Sequence, residues 1–332
     1  MFPSSSPGST AADPAPHPGA QPAQPGGDVT PPGGAAAPVP DDPDLAPTER
    51  ARLRVRSVPI RRLLSLAVAG FAALLCVGLT VGAQTAGPGA ARWPYAVVIF
   101  GVQVMFVLVW AMAMRPPGAK IVAGTGVLAA AGADVAAVYP KAVALAPLAY
   151  VAAAAVAVAA LGQLIRRGRA EATESMSATL ITVIGVVSFA TLVVCTRLAG
   201  GTQAITVCLT AIGVALAVAH GADTVVPAPR LSPQVPRGAA GVVVGAMAGT
   251  LAAAVLGKYL VGFDPGRGAV AGLVAAAAAV LADLSVAYAE AGRQMAGQRP
   301  TFWVARHMQG PLGGFALAAP VAYVVSVLFL VP

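Results

Sequence analysis

Two carboxylates, Asp134 and Asp283, sit inside long apolar runs of this 332-residue chain. A charge at the centre of a bilayer costs about 2.5–3.5 kcal/mol on insertion scales, so such residues turn toward a bundle interior, a partner or water. They are the first places to look for proton, ion or cation-assisted phosphate chemistry. Acids are otherwise scarce. There is no Asp or Glu from Met176 to Ala222, and only Asp283 and Glu290 follow Asp264. Cations surround Asp283 in the sequence: Arg230 and Arg237 before its apolar run, and Arg293, Arg299 and Arg306 after it. Such a set can hold a phosphate-bearing headgroup or nucleotide, or can simply anchor the chain at a membrane surface. Asp134 reads as a carboxylate near the outer end of its run that reaches toward Lys141, seven residues on, with an ion or proton path as the competing reading. His17 is far from any apolar run, and His220 and His307 flank run ends, where a single His is expected to be solvated. Cys76, Cys195 and Cys208 all fall in apolar runs, and their spacing fits neither a metal site nor a disulfide framework. They read as small buried apolar side chains. No GxxxxGK[ST], HExxH or GxSxG pattern is present.

The elements that must position these residues are membrane spans. The chain is 57% hydrophobic and 10% charged, with a mean hydropathy of +0.77. Nine apolar runs, at about 63–81, 93–112, 121–138, 143–165, 176–196, 202–219, 239–256, 269–289 and 312–331, are each long enough to cross about 30 Å of hydrocarbon as a helix. An all-α, polytopic integral membrane protein is expected. The formal net charge is +8. Its cations sit in short links between runs, so the positive-inside rule accounts for them better than nucleic-acid binding does. With the N-terminus inside, sixteen of the 21 Lys and Arg fall on the cytoplasmic side. Arg92, Lys141, Arg197, Lys258 and Arg267 fall outside. The expected location is therefore the plasma membrane, with a cytoplasmic N-terminus. Trp93 and Tyr95 suit an interfacial belt at the outer end of the second span.

Four regions follow. Residues 1–48 hold 13 of the 29 prolines and read as a disordered Pro/Gly/Ala-rich tail, with a possible SH3-like partner. Residues 49–62 carry Arg50, Arg52, Arg54, Arg56, Arg61 and Arg62, a juxtamembrane anchor for anionic lipid. Residues 63–200 hold spans one to five, and 201–332 hold spans six to nine. On span seven, Gly241, Gly245 and Gly249 form overlapping GxxxG patterns. Their common face permits close helix contact, within the chain or in an oligomer.

From about residue 205 onward the chain resembles the phosphatidate cytidylyltransferase (CDP-diacylglycerol synthase) family. Three blocks carry the likeness in order. Pro229-Arg230-Leu231-Ser232-Pro233 followed by Gly238 is similar to the family's R-x-S-P-x-K-[ST]-x-E-G. Ala282-Asp283-Leu284 is similar to its G-D-L-x-E-S. Gly310-Pro311-Leu312-Gly313, followed by Ala319-Pro320-Val321-Ala322-Tyr323, is similar to its L-D-R-[IV]-D-S and closing A-P-x-x-Y helix. The resemblance implies a CDP-diacylglycerol-synthase-like fold. It also implies a reaction in which a phosphatidate oxygen attacks the α-phosphorus of CTP, helped by Mg²⁺ held on carboxylates.

This chain departs from that pattern. The family's S-D at the end of the sixth span falls near Ala211 and Ile212. Gln234, Val235, Pro236 and Arg237 replace the K-[ST]-x-E stretch. Val286 and Ala287 stand for Glu and Ser, and Gly310 and Gly313 stand for two Asp. Asp283 is left as the one expected acid, catalytic and metal-binding if the chemistry survives at all. Arg230, Ser232, Pro233, Arg237 and Arg293 are the expected lipid- or substrate-binding residues. The reading that follows is an impaired relative, a pseudoenzyme of phospholipid biosynthesis kept as a lipid- or partner-binding scaffold and needing no cofactor. An active, Mg²⁺-using phosphatidate cytidylyltransferase is one alternative, and a small-solute transporter or channel is another.

Overall fold

Residues 61–140, 143–165, 172–298 and 300–329 are described by the computed structural model. The Pro-rich tail, most of the Arg-rich segment, Lys141, Arg166, Arg167, Arg169 and Arg299 lie outside the described residues. The described chain is helical, and each of nine helices is long and apolar enough to cross a membrane. In chain order they are α1 (Arg62–Gln84), α2 (Trp93–Met114), α3 (Ala119–Val138), α4 (Ala146–Ile165), α5 (Ala172–Cys195), α6 (Gly201–Val225), α7 (Ala239–Gly257), α8 (Pro265–Met295) and α9 (Trp303–Phe329). Hydrocarbon offers no partner for backbone N–H and C=O groups, so the apolar runs satisfy them within helices.

Short links force neighbouring helices to alternate in direction, and contacts at both ends agree. Arg115, just past α2, donates to the Pro300 carbonyl before α9. At the opposite end Arg267 donates to the Phe329 carbonyl, and Arg197 donates to Ala137. Among the described residues Arg61, Arg62, Arg115, Lys120, Arg230, Arg237, Arg293 and Arg306 share the first end, called here the arginine-rich end. Arg92, Arg197, Lys258 and Arg267 share the other.

Helix α6 is the hub. It packs against α1, α7, α8 and α9, and its residues from Ala204 to Ala219 are largely buried. The closeness of α7 comes from glycine. A Cβ on Gly241 would lie 2.8 Å from the Ala219 carbonyl oxygen, one on Gly245 2.6 Å from that of Ala215, and one on Gly249 2.4 Å from that of Ala211. The Gly241–Gly245–Gly249 face is thus taken up by α6 of the same chain. A second group, α2 to α5, packs with α5 at its centre, and α9 joins the two groups by lying against α2, α5, α6 and α8.

Four helices run past the expected spans. α5 starts at Ala172, α6 ends at Val225, α8 covers Pro265–Met295 and α9 begins at Trp303. Hydropathy stops at the first polar turn, but helical hydrogen bonding does not. Asp264 caps the longest helix, accepting from the Gly266 and Arg267 backbone at 2.8 and 2.9 Å, with Pro265 preset for the first turn. The extra turns of α6 and α9 and the C-terminal extension of α8 lie at the arginine-rich end. Tyr95 also departs from expectation. It is fully buried beside Gly82 rather than sitting in an interfacial belt, because the glycine leaves room for its ring.

Candidate functional site

The last turn of α6, the middle of α8 and the start of α9 converge on a cavity of about 520 Å³ at the arginine-rich end, closed on one side by the beginning of α1. The link between α6 and α7 forms one wall. Pro227 and Pro229 keep it out of helix, and it folds back as a tight hairpin. Leu231 donates to the Arg237 carbonyl, Ala239 donates to that of Pro229, and Arg230 bridges Gly238. Fully buried Val235 pins the hairpin to the bundle. This fold drives the next-but-one residue, Arg237, inward, so its side chain is only 4% exposed.

Arg237 lies between two carboxylates. Its Nη1 is 2.8 Å from Asp223 Oδ2 and its Nη2 is 2.5 Å from Asp283 Oδ2. Asp223, at the end of α6, also accepts from the Gly238 backbone N–H at 2.9 Å. His220, one turn earlier, places Nε2 3.4 Å from Asp283. The result is a buried cluster of two acids, one guanidinium and one imidazole. Low dielectric makes such contacts strong, and desolvation makes them costly to leave incomplete. The cluster depends on two glycines. A Cβ on Gly241 would lie 2.4 Å from Asp223 Oδ1, and one on Gly310 would lie 1.9 Å from Asp283 Oδ1. The resemblance puts Asp at position 310, but Asp283 already fills the space such a side chain would need.

Glu290, two turns beyond Asp283 along α8, lines the cavity but is engaged elsewhere. It accepts from Arg293 Nη2 at 2.7 Å, from Thr301 Oγ1 at 2.6 Å and from Gln294 Nε2 at 2.9 Å. These bonds tie the α8–α9 link to the end of α8. The remaining cations of the wall are Arg61 and Arg306, neither with an ion-pair partner among the described residues. His307 is there too, held to the Trp303 carbonyl at 2.5 Å. Arg61, Arg237, Arg293 and Arg306 stand against Asp223, Asp283 and Glu290, so the site as a whole carries a small surplus of positive charge. Its physical chemistry suits an anion with an apolar tail, because Leu64, Val68 and Val286 complete the lining.

Of the residues singled out in the sequence, Asp283, Arg237 and Gly310 meet. Arg230, Ser232, Pro233 and Arg293 do not line the cavity. Ser232 bonds Gln234 within the hairpin, and Arg293 serves Glu290 and Thr301. Gly313 faces Trp110 of α2, and the 310–313 segment is continuous helix. His220 is not the solvated side chain the sequence suggested. Its ring is 11% exposed and packed on Asp283, because α6 continues past the apolar run and carries it under the cavity. Asp223 was missed entirely. The resemblance points to Ala211 and Ile212, three turns earlier, and both are fully buried in helix contacts. The signal that could have found Asp223 was its place beside His220, just before a Pro-rich link with a downstream Arg.

As arranged, the donor set does not fit Mg²⁺. Arg237 is in ion-pair contact with both carboxylates and occupies the place between them. Among the described residues there is no group of three or more His, Cys, Asp or Glu side chains able to hold a metal ion. Comparison of the chain with protein-family models, with curated proteins and with solved structures gives no match. Fold and site therefore define the class alone: a polytopic helical membrane protein with a buried ionic cluster beneath an electropositive cavity at one end.

Proposed function

We propose that this chain is a cytidylyltransferase-like membrane scaffold. In this reading it has lost cytidylyl transfer and uses the cavity to hold the phosphate head of an anionic membrane lipid. One observation carries the proposal: Arg237 supplies the positive charge between Asp223 and Asp283 that a transferase would draw from metal ions. With that charge built into the chain, the carboxylates are a structural support, and Arg61 and Arg306 are left facing the cavity. A phosphate can accept from both guanidiniums, and the apolar lining accommodates the first carbons of the acyl region. The positive-inside rule turns this mouth to the cytoplasmic leaflet of the plasma membrane, where anionic lipid is abundant.

The purified full chain, reconstituted with phosphatidate, CTP and Mg²⁺, is expected to form no CDP-diacylglycerol. It is expected to retain phosphatidate over phosphatidylcholine, with retention falling at least ~10-fold when Arg61 and Arg306 are both changed to Ala, as loss of two charge-assisted contacts implies. Catalytic turnover would replace this reading with that of an active cytidylyltransferase. The convergence of Asp223 and Asp283 on one point, with Asp283 lining the cavity, is the observation favouring that second reading, which requires Arg237 to leave the carboxylates. Equal retention of both lipids would remove the lipid-binding reading.

A further inference from the structure

A second polar site, with no residue among those lining the cavity, lies inside the α2–α3–α5 group. Asp134 of α3 and Gln103 of α2 are 3% and 0% exposed. The Gln103 amide donates both ways, to Asp134 Oδ1 at 3.1 Å and to the Val186 carbonyl of α5 at 2.9 Å. The second contact sets the amide orientation, since a flipped amide would put two carbonyl oxygens together. Two buried oxygens then have no partner, Asp134 Oδ2 and Gln103 Oε1. An ionised carboxylate with one neutral hydrogen bond is poorly tolerated in so dry a place.

Among the described residues no cation contacts it. Helix α3 packs against α2, α4, α5 and the short turn Gly89–Arg92. Their titratable and charged groups are Tyr95, Tyr150, Glu174, Cys195 and Arg92, with Lys120 on α3 itself. Arg197 reaches the outer end of α3 through the Ala137 carbonyl. Gln103 is the hydrogen-bond partner of Asp134. On α5, Ser175, Thr179 and Thr182 are buried on the face that leads to Val186, a polar file from the arginine-rich end toward the pair.

We propose that Asp134 and Gln103 form a proton-binding site within the membrane, with the proton carried on Asp134 Oδ2. A metal cation would need a fuller oxygen shell than these two side chains supply. A proton needs only one acceptor and removes the charge in place. The inference stands independently of the cavity and its ligand.

The test is infrared spectroscopy of the full chain in lipid at neutral pH. Asp223 and Asp283 share Arg237 and Glu290 is bonded to Arg293, so the diagnostic signal is the band of a non-ionised carboxyl group that depends on Asp134. That band should disappear in Asp134→Asn and persist in Asp283→Asn. Gln103→Leu should keep the band but shift its frequency, because one hydrogen bond to the group is lost. A folded wild-type protein without the band, or a band unchanged in Asp134→Asn, overturns the proposal. If Asp134→Asn does not fold, the Gln103→Leu shift decides: no shift overturns it.

Discussion

Changing Arg237 to Met removes the one guanidinium that touches both Asp223 and Asp283, leaving two buried carboxylates facing each other. Breaking a buried pair in this way costs ~3–5 kcal/mol. A large drop in thermal unfolding temperature in detergent is therefore expected. Arg237→Lys should recover only part of it, since an ammonium cannot span both acids as a planar fork does. If the carboxylates are otherwise competent, the Met variant should also gain Mg²⁺ affinity that the wild type lacks, readable by calorimetry in reconstituted protein. Gly310→Ala is a second residue-scale test. Its Cβ would lie 1.9 Å from Asp283 Oδ1, so either the helix shifts or the cluster opens. A loss of ~1–3 kcal/mol is expected from such overpacking. Asp283 and Arg237 could be picked out from sequence because a carboxylate in an apolar run and an Arg beside one are rare. Asp223 could not, because it lies past the end of its run, where acids are ordinary. What makes it part of the site is the turn of helix that carries it inward.

At the scale of the helix, the α6–α7 contact is the joint on which the cluster rests. Gly241, Gly245 and Gly249 let α7 approach α6 along Ala211, Ala215 and Ala219, and that approach places the hairpin so that Arg237 points inward. Gly245→Val should destabilise by ~1–3 kcal/mol, the usual cost of overpacking. Val243→Leu, on a face of α7 that is 56% exposed, should be neutral by the same thermal assay. The glycine pattern announced a close contact, but sequence alone could not say which helix would meet it. The nine spans were legible because an apolar helix is the standard way to hide backbone polar groups in hydrocarbon. Their ends were not. The added turns of α6, α8 and α9 hold His220, Asp223, Glu290, Arg293, Arg306 and His307, whose polarity ends a hydropathy signal while the backbone keeps its helical bonds.

Across the whole molecule, the cations divide unevenly between the two ends, and the expected orientation puts the arginine-rich end in the cytoplasm. Ser232→Cys and Tyr259→Cys, at opposite ends, test this in a Cys76→Ala background, since Cys76 is half-buried while Cys195 and Cys208 are buried. In intact cells a membrane-impermeant thiol reagent should label Tyr259→Cys and leave Ser232→Cys unlabelled until the membrane is opened. The reverse pattern would invert the orientation and move the cavity to the outer face. Length, apolar periodicity and charge distribution determined that the chain is a multi-span helical membrane protein, because water and lipid act on each segment independently of its neighbours. The pairing of Asp223 with Arg237, the closure of His220 onto Asp283 and the isolation of Asp134 with Gln103 were decided only when helices distant in sequence came into contact. Each of these side chains has an unremarkable local sequence. Its role comes from which opposite charge, amide or glycine the folded bundle brings within about 3 Å, the range of a hydrogen bond.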